Sequence, residues 1–166
     1  MVGAGILGLA VARRLAEVRP DDEITVVEKE DRVAAHQTGH NSGVAHAGLY
    51  YAPGSLKARL CVAGKHRLYD YCAQHGVPHR RVGKIVVATE HPEVDALKSY
   101  MAKAAANGVD DLRWLSRDEL RELEPEVRCM AGFLSPSTGI IDSHALMLAL
   151  QGDAEEHGAS VVFFSP

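Results

Sequence analysis

The sequence predicts an α/β fold: a βαβ unit at the start of the chain, followed by a further series of short strands and helices. Two observations carry the first part. A glycine triplet, Gly3-Ala4-Gly5-Ile6-Leu7-Gly8, runs straight into Leu9, Ala10 and Leu15, with Arg13, Arg14 and Glu17 spaced among them as the polar face of an amphipathic helix. Pro20-Asp21-Asp22 then stops that helix, and Ile24-Thr25-Val26-Val27-Glu28 is a short β-branched strand. The second part rests on a third observation: from Val82 onward, short apolar runs alternate with helical patterns and turn residues. A buried strand is expected before Gly3, and only Met1 and Val2 stand there, which reads as a start that is clipped or placed late.

Composition narrows the function classes. The 166 residues suit one domain, and 46% hydrophobic with 24% charged residues argues against disorder or a coiled-coil rod. Eighteen Lys and Arg against 22 Asp and Glu leave a net charge of −4, so no global positive field exists to hold nucleic acid phosphates. No nucleic acid partner is expected. Cys61, Cys72 and Cys129 are odd in number and form no C-x-x-C, so neither a disulfide framework nor a zinc knuckle is read from them, and a reducing, cytoplasmic setting is the default expectation. The apolar start lacks a preceding positive residue, unlike a signal peptide, and no run reaches the ~18 residues of a membrane span. Membrane contact is expected to be peripheral at most, at the inner face.

The remaining elements follow in order. Residues 33–53 are rich in Gly, His, Ser, Thr and Asn without a period, the mark of a long binding loop. Ser55 caps a helix whose stripe is Leu56, Leu60, Ala63, Leu68 and Cys72, ended by Gly76 and Pro78. Residues 82–88 read as a strand. Pro92 and Gly108 frame a helix with Val94, Leu97, Met101 and Ala105 on its apolar face. Ser116 and Glu119, flanked by Leu115 and Leu120, form a capping box with a hydrophobic staple, and Pro125 closes that short helix. Strands are expected at 131–134 and 140–141, a helix capped by Asp142 or Ser143 runs to His157, and 161–164 is the last strand.

Glu28 ends its strand 28 − 8 = 20 residues beyond Gly8, the spacing at which a carboxylate meets a ribose hydroxyl. Gly3 permits the turn, Gly5 lets backbone N–H groups approach a pyrophosphate, and Gly8 lets helix and strand pack, while the helix dipole favours the anion. A carboxylate at Glu28 repels a 2′-phosphate and so disfavours NADP. The competing reading is an ordinary strand-to-helix turn with a solvated glutamate. His36 and His40 stand four apart as helical metal ligands do, but Gly39 between them disfavours a helix and no carboxylate partner is evident, so no metal site is expected. Cys61 and Cys72 are read as core residues rather than redox centres.

The loop itself carries a resemblance. Glu28-Lys29-Glu30, the run Ala34-Ala35-His36-Gln37-Thr38-Gly39-His40-Asn41-Ser42-Gly43-Val44-Ala45-His46-Ala47-Gly48-Leu49-Tyr50-Tyr51, and Pro53 to Cys61 closely resemble L-2-hydroxyglutarate dehydrogenases and oxidases, of the FAD-dependent D-amino-acid-oxidase-like superfamily. Tyr71 to Pro78, Gly83 to Thr89 and Pro136 to Asp142 are similar too, so the resemblance spans essentially the whole chain. Family members run to more than twice this length, and the chain is therefore expected to be an N-terminal fragment, binding FAD weakly and lacking turnover by itself.

The resemblance implies a FAD-binding Rossmann-like βαβ unit with part of an inserted antiparallel α+β substrate domain, divided as 1–75, 76–142 and 143–166. It implies FAD as cofactor, with Gly3, Ala4, Gly5, Ile6, Gly8, Glu28 and Lys29 at the adenosine-pyrophosphate end and Thr38, Gly39, Asn41, Ser42 and Gly43 against the flavin and ribityl chain. It implies a 2-hydroxy dicarboxylate substrate, with oxygen or a quinone as electron acceptor. His46 matches a histidine near the flavin ring; an imidazole of reference pKa about 6.5 suits removal of a hydroxyl proton as hydride leaves the carbinol carbon. A histidine that only orients the flavin, and a base supplied from outside this chain, stand beside that reading. Arg59, Arg80, Arg81 and Lys84 are the cations available for substrate carboxylates, and spacing does not choose among them. The rival readings are a superfamily oxidase acting on an amino acid or glycerol 3-phosphate, a non-catalytic nucleotide-binding fragment and, more distantly, a pyridine-nucleotide protein.

Overall fold

A computed structural model describes all of residues 1–166. Its elements in chain order are α1 (Ile6–Val18), β1 (Thr25–Val27), β2 (Val44–Ala45), α2 (Leu56–Gln74), β3 (His79–Arg80), β4 (Lys84–Ala88), α3 (His91–Ala106), β5 (Arg113–Leu115), α4 (Arg117–Leu123), β6 (Ala131–Ser135), β7 (Gly139–Ile141), α5 (Ser143–Glu156) and β8 (Ser160–Val162). They pack as two compact units: Met1–Gly43 with Cys72–Pro78 and Ile141–Pro166, and Val44–Tyr71 with His79–Ile140. The sequence division at 75 and 142 follows motifs, whereas the units follow packing, and the two part company at residues 44–71, 76–78 and 141–142.

The first unit is the βαβ part. β1 and β8 run parallel, with Thr25 opposite Ser160 and Val27 opposite Val162. Met1–Gly3 joins the other side of β1 in the parallel sense: Val27 N–H donates to Met1 O and Gly3 N–H to Val27 O, both at 2.8 Å. These residues thus occupy the strand position expected before the first glycine. Leu9, Ala12 and Ala16 are the buried face of α1. Ala16, Ala154 and Ala159 form a small-residue core with Ile24, and such side chains let α1 and α5 approach closely. Asp153 of α5, 8% exposed, accepts from Arg13 Nε of α1 and lies 3.3 Å from His75 Nε2, so its buried charge is paired.

The second unit is antiparallel. β4, β6 and β5 pair in that order, with Lys84 opposite Ser135, Ala88 opposite Ala131 and Trp114 opposite Phe133. Residues alternate between faces with the strand period of two. Ala88 and Phe133 join Leu97 and Ala104 of α3 together with Ala47, Leu49 and Val109. Ile85, Val87 and Leu134 pack instead on Leu115, Leu120 and Cys129. A second sheet has the order β2-β7-β3.

Local capping signals are realised. Asp142 Oδ1 accepts the Ala145 N–H at 2.9 Å at the start of α5, and Ser55 Oγ accepts the Ala58 N–H at 3.2 Å before α2. At α4, Ser116 Oγ accepts the Glu119 N–H at 3.3 Å, Glu119 Oε2 accepts the Ser116 N–H at 2.8 Å, and Leu115 and Leu120 are both buried beside them. Loss of an N-cap oxygen costs about 0.5–2 kcal/mol. Ser116→Ala is therefore expected to lower the denaturation midpoint by a free energy in that range, and Ser116→Asp to restore it.

Four expectations are corrected. On α2, Leu56 and Leu60 are 65% and 62% exposed, and the buried positions are Ala58, Lys65, Tyr69 and Cys72, a face rotated from the expected stripe. Cys61 is half-buried rather than core, and Ala105 of α3 is exposed, its place taken by Ala104. The last strand ends at Val162, because Phe164 turns to φ +53. The short strands β2, β3 and β5 lie outside the expected ones.

Candidate functional site

The first unit builds a cleft at the end of β1 and the start of α1. Gly3 adopts φ +94, a left-handed conformation that favours glycine, and a Cβ there would meet nothing within 4 Å, so the approach to its backbone is open. A Cβ on Gly8 would stand 2.0 Å from Gly3 O, which no side chain tolerates. Gly5 is the N-cap of α1 and brings no side chain to the first-turn N–H groups. Ile6 N–H donates to Thr38 Oγ1 at 3.2 Å, tying the loop to this turn.

Glu28, only 8% exposed, reaches back from β1 to the same turn. Its Oε2 accepts the Ala4 N–H at 2.7 Å and its Oε1 the Glu30 N–H at 3.1 Å. The Ala4 N–H bond, followed by the Glu30 one, holds the carboxyl below its usual range despite burial. Lys29 is exposed and pairs with Glu30 at 3.6 Å.

Residues 33–43 fold back over the glycines. Ala34 N–H donates to Ala4 O at 3.1 Å, with Ala34 itself at φ +59. A Cβ on Gly39 would lie 2.2 Å from Ala34 O, so the loop closes only with glycine there. Asn41 Oδ1 accepts the Gly43 N–H at 2.6 Å, an Asx turn, and its Nδ2 donates to Thr38 O; Ser42 is exposed. His36 Nε2 pairs with Glu30 at 2.9 Å and His40 Nδ1 meets His36 O at 2.8 Å. Gly3, Gly5, Glu28 and 34–38 line a cleft of about 170 Å³, and Arg32–Ala35, Thr38, Gly39, His40, Ser143 and His144 line another of about 240 Å³.

His46 lies in the second unit, in a small indentation with residues 47–51 and Lys84. Desolvation, then the Lys84 cation, pushes its pKa below the ordinary value, which favours the neutral imidazole. Cys61 Sγ donates to His46 O at 3.4 Å. Burial raises the Cys61 and Cys72 thiols, so neither is a ready thiolate. Sequence reasoning missed Ala34 and Tyr50. Alanine carries no signal for a left-handed conformation, and Tyr50 enters only through its contact with Lys84.

A parallel βαβ unit, a glycine turn that opens a helix, and a buried carboxylate at the end of the second strand define the class of dinucleotide-binding proteins. The residues fit the adenosine diphosphate end of such a cofactor: open backbone at Gly3, a helix start that its N-cap Gly5 leaves without a side chain, and an ionised Glu28. The chain belongs to the family of FAD-dependent oxidoreductases, which it matches over residues 1–166. It is 44% identical over 162 residues to the mitochondrial L-2-hydroxyglutarate dehydrogenase of Homo sapiens, covering 98% of this chain and 35% of that protein. It is 40% identical over 163 residues to the L-2-hydroxyglutarate dehydrogenase of Escherichia coli (strain K12), covering 98% and 38%. The chain thus spans little more than a third of these relatives. Among solved structures, a dithionite-reduced L-α-glycerophosphate oxidase from Mycoplasma pneumoniae with FAD bound matches with a TM-score of 0.91 at 27% identity, over 98% of this chain and 43% of that one. An L-proline dehydrogenase from P. horikoshii, 21% identical, shares the fold with a TM-score of 0.85 over 98% and 42%. No helix is long and apolar enough to cross a membrane.

Proposed function

We propose that the protein binds FAD through the Glu28 cleft and oxidises L-2-hydroxyglutarate to 2-oxoglutarate. The observation that carries the cofactor half is the buried Glu28 carboxylate, held by the Ala4 and Glu30 amides beside the glycine turn that opens α1. The substrate half rests on the 40–44% identity to proteins of that name. Gly3, Ala4, Gly5, Ile6, Gly8, Glu28 and Lys29 are assigned to the adenosine-pyrophosphate end. Thr38, Gly39, Asn41, Ser42 and Gly43 are assigned to the ribityl and flavin end. FAD held by these residues would supply the acceptor for the hydride of the carbinol carbon, with oxygen or a quinone as the final electron acceptor. His46 takes the hydroxyl proton, for which a neutral imidazole is required. A cytoplasmic location, with at most peripheral membrane contact, accords with three free thiols.

The test uses the full-length polypeptide that carries these residues. It is loaded with FAD and given candidate substrates under anaerobic conditions. L-2-hydroxyglutarate is expected to bleach the oxidised-flavin absorbance, and glycerol 3-phosphate, glycine and L-proline are not. Bleaching by glycerol 3-phosphate alone would move the substrate to the class of the Mycoplasma oxidase, and failure to retain flavin would overturn the cofactor assignment.

A further inference from the structure

The four cations that sequence offers for a substrate carboxylate have different settings. Arg59 and Arg80 are exposed, and Arg81 is exposed with its guanidinium 4.4 Å above the Tyr69 ring. Lys84 alone of the four lines the indentation that holds His46. It is half-buried at the first position of β4, in register with Ser135, and the preceding Gly83 N–H donates to Thr138 O at 2.9 Å. Its ammonium donates to Tyr50 Oη at 3.1 Å and lies 4.8 Å from that ring's centroid. Tyr50 in turn packs edge-on against Tyr100, with centroids 5.2 Å apart at 87°. An ammonium has three donors. Lys84 spends one on a phenol, and no carboxylate of the chain forms an ion pair with it.

The geometry points to Lys84 as the residue that binds the substrate carboxylate next to the carbinol carbon, its ammonium aimed by Tyr50 into the pocket where His46 receives the hydroxyl proton. This rests on the 2-hydroxy-acid reading proposed above. The indentation has space for about one water-sized group, about 10 Å³, so it takes single oxygens rather than a whole dicarboxylate. In a 2-hydroxy acid the hydroxyl and the C1 carboxylate sit on adjacent carbons, and this pair fits two neighbouring donors and acceptors. The distal carboxylate lies three carbons further along. A fixed cation beside His46 also favours its neutral, proton-accepting form. Other charged or titratable groups around this pocket are Tyr51, which lines it, Lys57 of α2, 4.7 Å above the Tyr51 ring, Cys61 of α2 on His46 O, and Lys103 of α3, 5.8 Å from the Tyr100 ring.

Lys84→Met, Lys84→Arg and Tyr50→Phe in the FAD-loaded full-length protein test this. Lys84→Met is expected to raise KM for L-2-hydroxyglutarate about tenfold, the effect of one lost charge-assisted hydrogen bond. The His46 ring, followed by NMR titration, should then protonate at higher pH, and the rising limb of the kcat/KM profile should move up with it. Lys84→Arg should recover most of the affinity. Tyr50→Phe, which removes only the hydroxyl, should raise KM by a smaller factor and stands in if Lys84→Met fails to fold. An unchanged KM with an unchanged His46 titration, in a protein that oxidises L-2-hydroxyglutarate, overturns the role of Lys84 and leaves the function standing. Turnover of glycerol 3-phosphate alone overturns both.

Discussion

Glu28→Ala is expected to weaken FAD binding at least tenfold and to destabilise the first compact unit at the same time. Both effects have one origin. The carboxylate is 8% exposed and spends one oxygen on the Ala4 N–H and the other on the Glu30 N–H, so truncation leaves two backbone donors without their acceptor. Hydrogen bonds to a charged group contribute about 1.5–3 kcal/mol each, and a tenfold change in affinity is about 1.4 kcal/mol. Each carboxylate oxygen keeps a second lone-pair direction, which is what a ribose hydroxyl needs. The sign with pH follows from the depressed carboxyl pKa. An unfolded glutamate titrates near about 4.3, and the folded one below that. The stability it contributes is therefore fully present above the unfolded value and is lost as pH falls through the folded one. Glu28→Ala should flatten that acid limb in denaturation midpoints taken across a pH series. Glu28→Gln should do worse than its size suggests, because an amide N–H₂ must face one of the two N–H donors. An FAD dissociation constant unchanged by Glu28→Ala shows that the carboxylate is a strut of the turn and not a ribose ligand.

What was legible in the sequence was local. The start of α1 at Ile6, the Ser116–Glu119 box, the Asp142 cap and β1 at Thr25–Val27 each follow from a few adjacent residues whose backbone needs are met by their own side chains or glycines. What was not legible depends on distant partners. β3 has two residues and no period; it exists because β7 is there to pair with it. Leu56 and Leu60 have helical spacing, yet the buried face of α2 carries Lys65, whose ammonium meets Ser137 Oγ at 2.7 Å, and Tyr69, whose hydroxyl donates to Ser137 O at 3.1 Å. Polar contacts made 72 and 68 residues away thus decide the rotation of that helix, and no hydrophobic pattern records them. The candidate site divides the same way. Glu28 was found by spacing, whereas Lys84 emerged from four equivalent cations only when β4 set it beside Tyr50, 34 residues earlier in the chain.

His46→Gln is expected to retain FAD and to slow anaerobic flavin bleaching by L-2-hydroxyglutarate about 10²–10⁴-fold, the range for one positioned acid–base group. Glutamine keeps a polar side chain of similar length but does not accept a proton near neutral pH, so the variant separates proton transfer from packing. The environment of His46 sets the pH dependence. Desolvation, then Lys84, depresses its pKa, so the neutral base is present from a pH below the ordinary histidine value of about 6.5. The parental bleaching rate should therefore rise with pH through a single ionisation whose midpoint lies under that value, and the ionisation should vanish in His46→Gln. Stopped-flow traces isolate this step from reoxidation by the acceptor. Two alternative results are informative. Lost flavin together with lost activity identifies His46 as a residue that orients the cofactor. Parental rates with intact flavin content place the base outside this pocket, and Lys84 then anchors a substrate whose proton leaves by another route.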